Sequence, residues 1–272
     1  MKVSYEEEMW KRYREKIEKR TAYYREVISL IPSDVKSILD VGCGEGTFLN
    51  MLRSLGRASM IVGLDVSETA LKYVEGQKIR ASAGKLPFGN GSFDLVTCLE
   101  TLEHLKQEVF IRAIEEIKRI AKKYIIVSVP NEEPLEYFLV VCPACGCHFN
   151  AVGHVRSFSP KILRELFSPI FSLKALRDCG DLVEYPTYNR VLFGALRSYL
   201  KPQPPRGSIC PQCGYVAKAG EGRISYSQMP TLLKLFKRIA DLLWRPKKRR
   251  QWLVALYERV MERQRQARDD HI

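Results

Sequence analysis

The sequence predicts an α/β fold with a mostly parallel sheet, on three observations. First, a short apolar run of strand type, Ser37 to Val41, meets three glycines spaced two apart, Gly42, Gly44 and Gly46. It then enters an apolar-periodic segment, Phe48, Leu49, Leu52 and Leu55. That order reads as strand, tight turn and helix. Second, another strand-like run, Met60 to Leu64, ends at Asp65, 25 residues after Asp40. This is the spacing of one βαβ unit. Third, strand-like runs at Ser92 to Leu99 and Tyr124 to Val129 flank an amphipathic stretch, Val109 to Ile120. Alternation of strands with helical periods is the pattern of a parallel sheet.

Each element has a reason. Glycine lets the first turn fold tightly and lets a ligand press against bare backbone. The helix start behind it offers unpaired N–H groups to that ligand. A carboxylate at the tip of the second strand is placed to accept both hydroxyls of a ribose. The first half therefore reads as nucleoside-binding. Ahead of it, Met9, Trp10, Tyr13, Ile17, Tyr23, Tyr24, Val27, Ile28 and Ile31 predict one or two amphipathic helices ending at Pro32. Their tyrosines are candidates for a pocket wall, although such an aromatic stripe also suits plain core.

Composition narrows the class. The chain has 272 residues, 46% of them hydrophobic, enough for one large domain with appendages. It has no run of 18 uncharged apolar residues, so no transmembrane helix is expected, and no signal peptide is visible. A cytoplasmic protein is the expectation. The net charge is +13, and Thr231 to Ile272 holds 12 Lys/Arg against 5 Asp/Glu. Such a tail suits nucleic acid, an anionic membrane surface or an acidic partner, or is a solvated helical face.

Three ordered motifs carry a resemblance. They are Leu39-Asp40-Val41-Gly42-Cys43-Gly44-Glu45-Gly46, Gly63-Leu64-Asp65-Val66-Ser67, and Leu86-Pro87-Phe88 followed by Ser92-Phe93-Asp94-Leu95-Val96. Together they resemble the class I S-adenosylmethionine-dependent methyltransferases, most of all the branch that modifies small molecules and some RNA ends. The resemblance covers residues 35–200. It implies a Rossmann-like, doubly wound, seven-stranded mostly parallel sheet with helices on both faces. It also implies S-adenosyl-L-methionine as cofactor, bound at Asp40, Gly42, Cys43, Gly44, Asp65, Val66, Ser82, Ala83 and Leu99. Asp40 would organise the glycine loop and contact the methionine end, directly or through water. Asp65 would take the ribose, with Val66 beside the adenine. Ser82 stands where many relatives carry an Asp for the adenine amino group, so adenine recognition leans on backbone groups.

Glu100, Glu103 and His104 follow the fourth strand, at the end where ligands bind in parallel sheets. Their spacing puts all three on one face of a helical turn. Glu-x-x-Glu-His occurs in RNA 3′-end ribose methyltransferases and quinone-pathway O-methyltransferases, where it binds Mg²⁺ or a similar ion. An ion there would lower an acceptor hydroxyl pKa; without one, the pair caps and orients the helix. His154 is a candidate further ligand or general base. These four are the catalytic candidates.

Eight cysteines are present, four of them in two Cys-Pro-x-Cys-Gly turns, at Cys142 and Cys145 and at Cys210 and Cys213. Each turn points two thiolates at one centre, and together they suit a closed structural Zn²⁺ site. Cys147 or His148 is an alternative ligand. A hairpin of strands Phe171 to Arg177 and Arg190 to Arg197, after a helix Lys161 to Phe167, would bring the two turns together.

The expected organisation is an N-terminal helical cap, 1–36, and a methyltransferase domain, 37–200, with a zinc-knuckle insertion at 132–153. A second knuckle segment, 201–227, and basic C-terminal helices, 228–272, follow. The last helix is read from Trp252, Leu253, Ala255, Leu256, Val260 and Met261, and these helices could support a homodimer. The expected reaction is methyl transfer to O or N of an acceptor, with a small molecule favoured. The alternative is an RNA-binding or RNA-modifying zinc-ribbon protein.

Overall fold

The computed structural model describes residues 17–185, 204–205, 207–217, 231 and 247–260. The chain divides into two compact units. The larger holds Met1–Asn131, Phe158–Gly180 and Gln251–Ile272, and the smaller holds Glu132–Ser157 and Asp181–Arg250.

The elements run α1 (Ile17–Ser29), β1 (Ser37–Val41), α2 (Thr47–Ser54), β2 (Met60–Asp65), α3 (Glu68–Leu71), β3 (Lys78–Arg80) and β4 (Phe93–Leu99). A single 3₁₀ turn, Leu102–His104, leads to α4 (Gln107–Ile120) and β5 (Ala121–Pro130). Then come β6 (Leu139–Val141), β7 (His148–Asn150), α5 (Pro160–Glu165), β8 (Phe171–Tyr185) and β9 (Lys247–Arg259). Seven strands form one sheet in the order β3-β2-β1-β4-β5-β9-β8. Strands β1 to β5 pair in parallel, and β9 lies antiparallel to β5, with Ile126 opposite Leu256.

The sheet is buried on both faces, and the strand residues alternate between two cores. Leu39, Val41, Val62, Leu64, Val96, Cys98, Ile125 and Val127 share one with Ala113, Ile114 and Ile117 of α4 and Leu163 of α5. Ile38, Ile61, Leu95, Leu99, Ile126 and Val254 share the other with Val27 and Ile28 of α1, Phe48, Leu49 and Leu52 of α2, and Leu71 of α3. This is why the central strands read as continuous apolar runs: side chains of both parities are covered by helices. The expected doubly wound sheet with helices on both faces is present. The close packing of α2 needs Gly63, where a Cβ would fall 2.5 Å from Leu49 Cδ1 and 2.8 Å from Cys43 Sγ.

The expected helix from Trp252 onward is a strand. Residues 247–259 form β9, inserted beside β5 as the sixth strand of the order. Leu253, Ala255 and Tyr257 enter one core while Val254 enters the other. A strand covered on both faces has no polar parity, so its apolar run also fits a helical period. The helix expected over Lys161 to Phe167 is the shorter α5, capped by Ser159 Oγ accepting from Ile162 N at 3.3 Å. The expected strand Arg190 to Arg197, the apolar face from Leu232 to Trp244 and the stretch before Ile17 lie outside the described residues.

In the smaller unit β6 and β7 pair antiparallel, Val140 opposite Phe149. Its apolar cluster is small: Val140, Cys142, Phe149 and Cys210, with Cys147, Ala151 and Tyr215 against it.

Candidate functional site

The carboxyl ends of β1, β2 and β4 converge on a cavity of about 450 Å³. The loop after β1 forms one wall. Gly42 N and Cys43 N donate to Leu64 O at 2.7 and 3.0 Å, tying that loop across to β2. Gly42 has φ +79°, and a Cβ there would lie 2.3 Å from Thr101 Oγ1. The chain leaving β4 thus passes directly over bare backbone, which only glycine permits.

Asp65 at the tip of β2 fixes the geometry. One carboxylate oxygen accepts from Gly44 N at 2.9 Å and the other from Ser67 N at 2.8 Å. Each oxygen keeps a further lone pair, so the acid is oriented without being used up. Around it the cavity is lined by Gly42, Cys43, Gly44, Val66, Ser82, Ala83 and Leu99. Eight of the nine residues expected at the cofactor, Asp65 included, therefore meet at one cavity.

Asp40 is the exception. It is 3% exposed, is not among the lining residues, and receives a hydrogen bond from Thr97 Oγ1 at 2.6 Å. Burial, with the charges of Asp65 and Glu45 adding, pushes its carboxyl up to about 7 despite the Thr97 bond.

Glu100 lines the opposite side. It is not on a helical face with Glu103 and His104, as the spacing suggested. It closes β4 with φ +49°, in the left-handed region, and the 3₁₀ turn begins two residues later. The cause is the sheet: Glu100 N still donates to Ser128 O of β5 at 3.1 Å, so the residue belongs to the strand end. Ser128 Oγ donates to Glu100 Oε1 at 3.2 Å, and Tyr23 Oη hydrogen-bonds Ser128 Oγ in turn. Tyr23 is buried, and burial with the nearby Glu100 charge holds its hydroxyl well above the usual range, so it remains the donor. Tyr23, Ser128 and Glu100 thus form a chain of hydrogen bonds ending in a carboxylate at the cavity.

His104 lines the same cavity, half-exposed, its Nε2 4.0 Å from Glu103 Oε1. The Glu103 carboxylate is fully buried. His154 lies in the smaller unit, where its Nδ1 pairs with Glu133 Oε2.

Sequence reasoning missed several lining residues: Glu45, Thr101, Leu105, Val109 and Trp252. Trp252 is the most consequential. Its ring stands 4.6 Å from that of Tyr23, and Tyr24 is 5.0 Å from Tyr23, giving the cavity an aromatic wall. The first four follow recognised motifs and could have been named by position. Trp252 could not, since its segment was read as a helix. Among the described lining residues there are three carboxylates, Glu45, Asp65 and Glu100, and no Lys or Arg.

A second constellation lies in the smaller unit. Cys142 and Cys213 sulfurs are 3.6 Å apart, as are those of Cys145 and Cys210, and all four lie within 4.8 Å of one another. The expected pairing of the two Cys-x-x-Cys turns is present.

The part of the chain that builds this cavity has known relatives. Residues 39–126 match the family model described as "Methyltransferase domain". That stretch is similar to a methyltransferase domain. Among curated relatives, it is 37% identical over 102 residues to an uncharacterised protein of Methanocaldococcus jannaschii, covering 36% of this chain and 42% of that one. It is 28% identical over 127 residues to a ubiquinone biosynthesis O-methyltransferase of Albidiferax ferrireducens, covering 42% and 49%. It is 30% identical over 119 residues to a small RNA 2′-O-methyltransferase of Gallus gallus, covering 36% and 31%. The matches thus span less than half the length of each of these relatives. Among solved structures, a SAM-dependent methyltransferase from Archaeoglobus fulgidus aligns with TM-score 0.51 at 17% identity, over 89% of this chain and 94% of that one. A chain from the complex between the Haloferax volcanii Trm112 methyltransferase activator and a putative methyltransferase aligns with TM-score 0.54 at 14% identity, over 93% and 95%. At such identities the likeness speaks for the fold. No helix among the described residues is long and apolar enough to cross a membrane.

Proposed function

We propose that this chain is an S-adenosyl-L-methionine-dependent methyltransferase that transfers the methyl group to an oxygen or nitrogen of a small, uncharged or cationic acceptor. The observation that carries the reading is Asp65, clamped by Gly44 N and Ser67 N at the mouth of β2, inside a cavity walled by the glycine loop. Asp65 takes the ribose hydroxyls, Gly42, Cys43 and Gly44 make room for the methionine end, and Val66, Ser82, Ala83 and Leu99 surround the adenine. Asp40 supports the loop from below, through Thr97 and the strand end.

Methyl transfer is an in-line displacement, so the protein's work is alignment and removal of one proton. Glu100 is the base. Its carboxylate faces the cavity and is oriented by Ser128 and Tyr23. His104 at the cavity and the buried Glu103, 4.0 Å from it, are the side chains that would hold Mg²⁺ or a similar ion, which would supply Lewis acidity to an acceptor oxygen. We assign no step to His154 and its partner Glu133. The aromatic wall of Tyr23, Tyr24 and Trp252, with carboxylates and no Lys or Arg among the described lining residues, favours a small acceptor over a polyanionic RNA end.

The four cysteines are assigned to structural Zn²⁺. Bonds of about 2.3 Å to a tetrahedral ion place sulfurs about 3.8 Å apart, and the two 3.6 Å pairs fit such edges. A closed thiolate site does no chemistry on the acceptor.

The test is transfer of tritiated methyl from labelled cofactor into a cell extract. Label is expected in the small-molecule filtrate, resistant to nuclease. Glu100→Gln should lower incorporation by roughly a hundredfold or more while leaving S-adenosylhomocysteine affinity near the unsubstituted value. Label that nuclease destroys would move the acceptor to RNA, and full incorporation by Glu100→Gln would remove that base from the reaction.

A further inference from the structure

The smaller unit holds one thiol more than a tetrahedral centre uses. Cys147 Sγ lies 3.1 Å from Cys210 Sγ, and Cys147 is partly exposed. The two knuckles close in the same way. In the first, Cys142 N bonds Cys147 O at 2.9 Å and Gly146 N bonds Cys142 O at 2.8 Å. In the second, Cys210 N bonds Tyr215 O at 2.9 Å and Gly214 N bonds Cys210 O at 3.0 Å. The place held by Cys147 in one turn is held by Tyr215 in the other. The turn itself therefore does not require a thiol there. Nor does the metal: 3.1 Å is well short of the tetrahedral edge of about 3.8 Å between two ligands. Cys147 is a neighbour pressed against a ligand sulfur.

We propose that Cys147 is an oxidation site which, with Cys210, turns a hydrogen peroxide signal into release of the zinc ion. The inference rests on the zinc reading above. In the first step the Cys147 sulfur attacks the peroxide O–O bond, giving a sulfenic acid and one water. In the second, Cys210 sulfur leaves the metal and attacks Cys147 Sγ; the S–S bond forms, the S–O bond breaks, and the hydroxide departs as water after taking a proton. Two thiol sulfurs supply the two electrons that reduce the peroxide. The ion keeps only Cys142, Cys145 and Cys213, an open site that a competing chelator empties.

The experiment uses the full chain, assayed for zinc as purified, then treated with hydrogen peroxide beside a chromogenic chelator, with the bonds mapped by mass spectrometry. The expected result is one zinc per chain, released in step with a Cys147–Cys210 disulfide. Cys147→Ser should carry the same zinc and release it roughly tenfold more slowly, and Cys147→Ala provides a second variant should Ser disturb the turn. Release from either variant at the unsubstituted rate, a disulfide between other cysteines, or zinc-free Cys147 variants would each overturn the proposal, the last by making Cys147 a ligand. A zinc-free unsubstituted chain would defeat the zinc reading itself, before any oxidant is added.

Discussion

The two units reach order by different physics. The larger one buries two complete apolar layers, one on each face of a seven-stranded sheet, with Ile38, Leu39, Ile125 and Val127 all fully enclosed. At about 25 cal/mol per Å² of apolar surface removed from water, such layers are the main source of its stability. The smaller unit has an apolar cluster of four buried residues among those described, and two of the four are Cys142 and Cys210. So few side chains do not offset the ordering entropy of two loops. On the proposed zinc reading, what replaces a core is bonding to a metal, worth on the order of 10 kcal/mol in small thiolate sites. One unit should therefore be indifferent to metal and the other should depend on it.

Removing the ion is the strongest way to break that contrast. Treatment with a tight chelator, or Cys142→Ser with Cys213→Ser, should expose residues 132–157 and 207–217 to limited proteolysis. The sheet residues should stay protected, and S-adenosylhomocysteine should still bind. Protection of the knuckles without metal would show that their own packing suffices.

Asp65→Ala probes the larger unit where function, not stability, is concentrated. Loss of two charge-assisted hydrogen bonds to a ribose should weaken S-adenosylhomocysteine binding by roughly a hundredfold in calorimetry. The two-layer core should hold, with only a few degrees lost from the melting temperature through the freed amides of Gly44 and Ser67. Unchanged affinity would remove the cofactor assignment.

The contrast also explains what was legible in the sequence. Strands β1, β2, β4 and β5 announced themselves as short apolar runs, and the cysteine turns by their repeated Cys-Pro-x-Cys-Gly spacing, whereas β3, only Lys78–Arg80, has no apolar run to mark it. Strand β9 was not legible. Its apolar residues fill both parities because helices cover both faces, and a run of that kind satisfies either period. Missing β9 meant missing Trp252 in the cavity wall. Glu100 was named as a candidate but placed on a helix, because a helical turn is the default for that spacing; the pairing of Glu100 N with Ser128 O, 28 residues away, overrides it. The carboxylate of Asp65 was legible as a site candidate at the tip of β2, while its bonds to Gly44 and Ser67 are visible only in three dimensions. Asp40 was expected to organise the glycine loop and to reach the ligand directly or through water; its burial behind the loop, with Thr97 as hydrogen-bond partner, was not legible.

Gly180 tests the seam that β9 builds in the larger unit. It sits at φ +84°, and a Cβ would fall 2.3 Å from Trp252 Cε3. Gly180→Ala must move the indole or distort β8, at a cost of about 2 kcal/mol. The melting temperature should drop by several degrees, and the displaced Trp252 should change its fluorescence. An unaltered spectrum with unaltered stability would mean that β9 does not hold Trp252 against Gly180 of β8.

The last contrast concerns charge inside the apolar layers. Asp40 binds its proton up to about pH 7 in the folded protein, far above an unfolded carboxyl at 3.8. Between those values the native state carries the extra proton, so stability falls as pH rises through that window and stays lowered above it. Asp40→Asn keeps an acceptor for the Thr97 hydroxyl, 2.6 Å away, and removes the titration. Melting curves from pH 5 to 8 should therefore converge at the acid end and separate at the basic end, with Asp40→Asn the more stable. If the cofactor's ammonium group draws on the charge of Asp40, the same variant should bind S-adenosylhomocysteine more weakly at pH 8 and about equally at pH 5. A gap that closed as pH rose would mean that Asp40 is ionised throughout and stabilised by its surroundings, a carboxylate the apolar layers do not penalise.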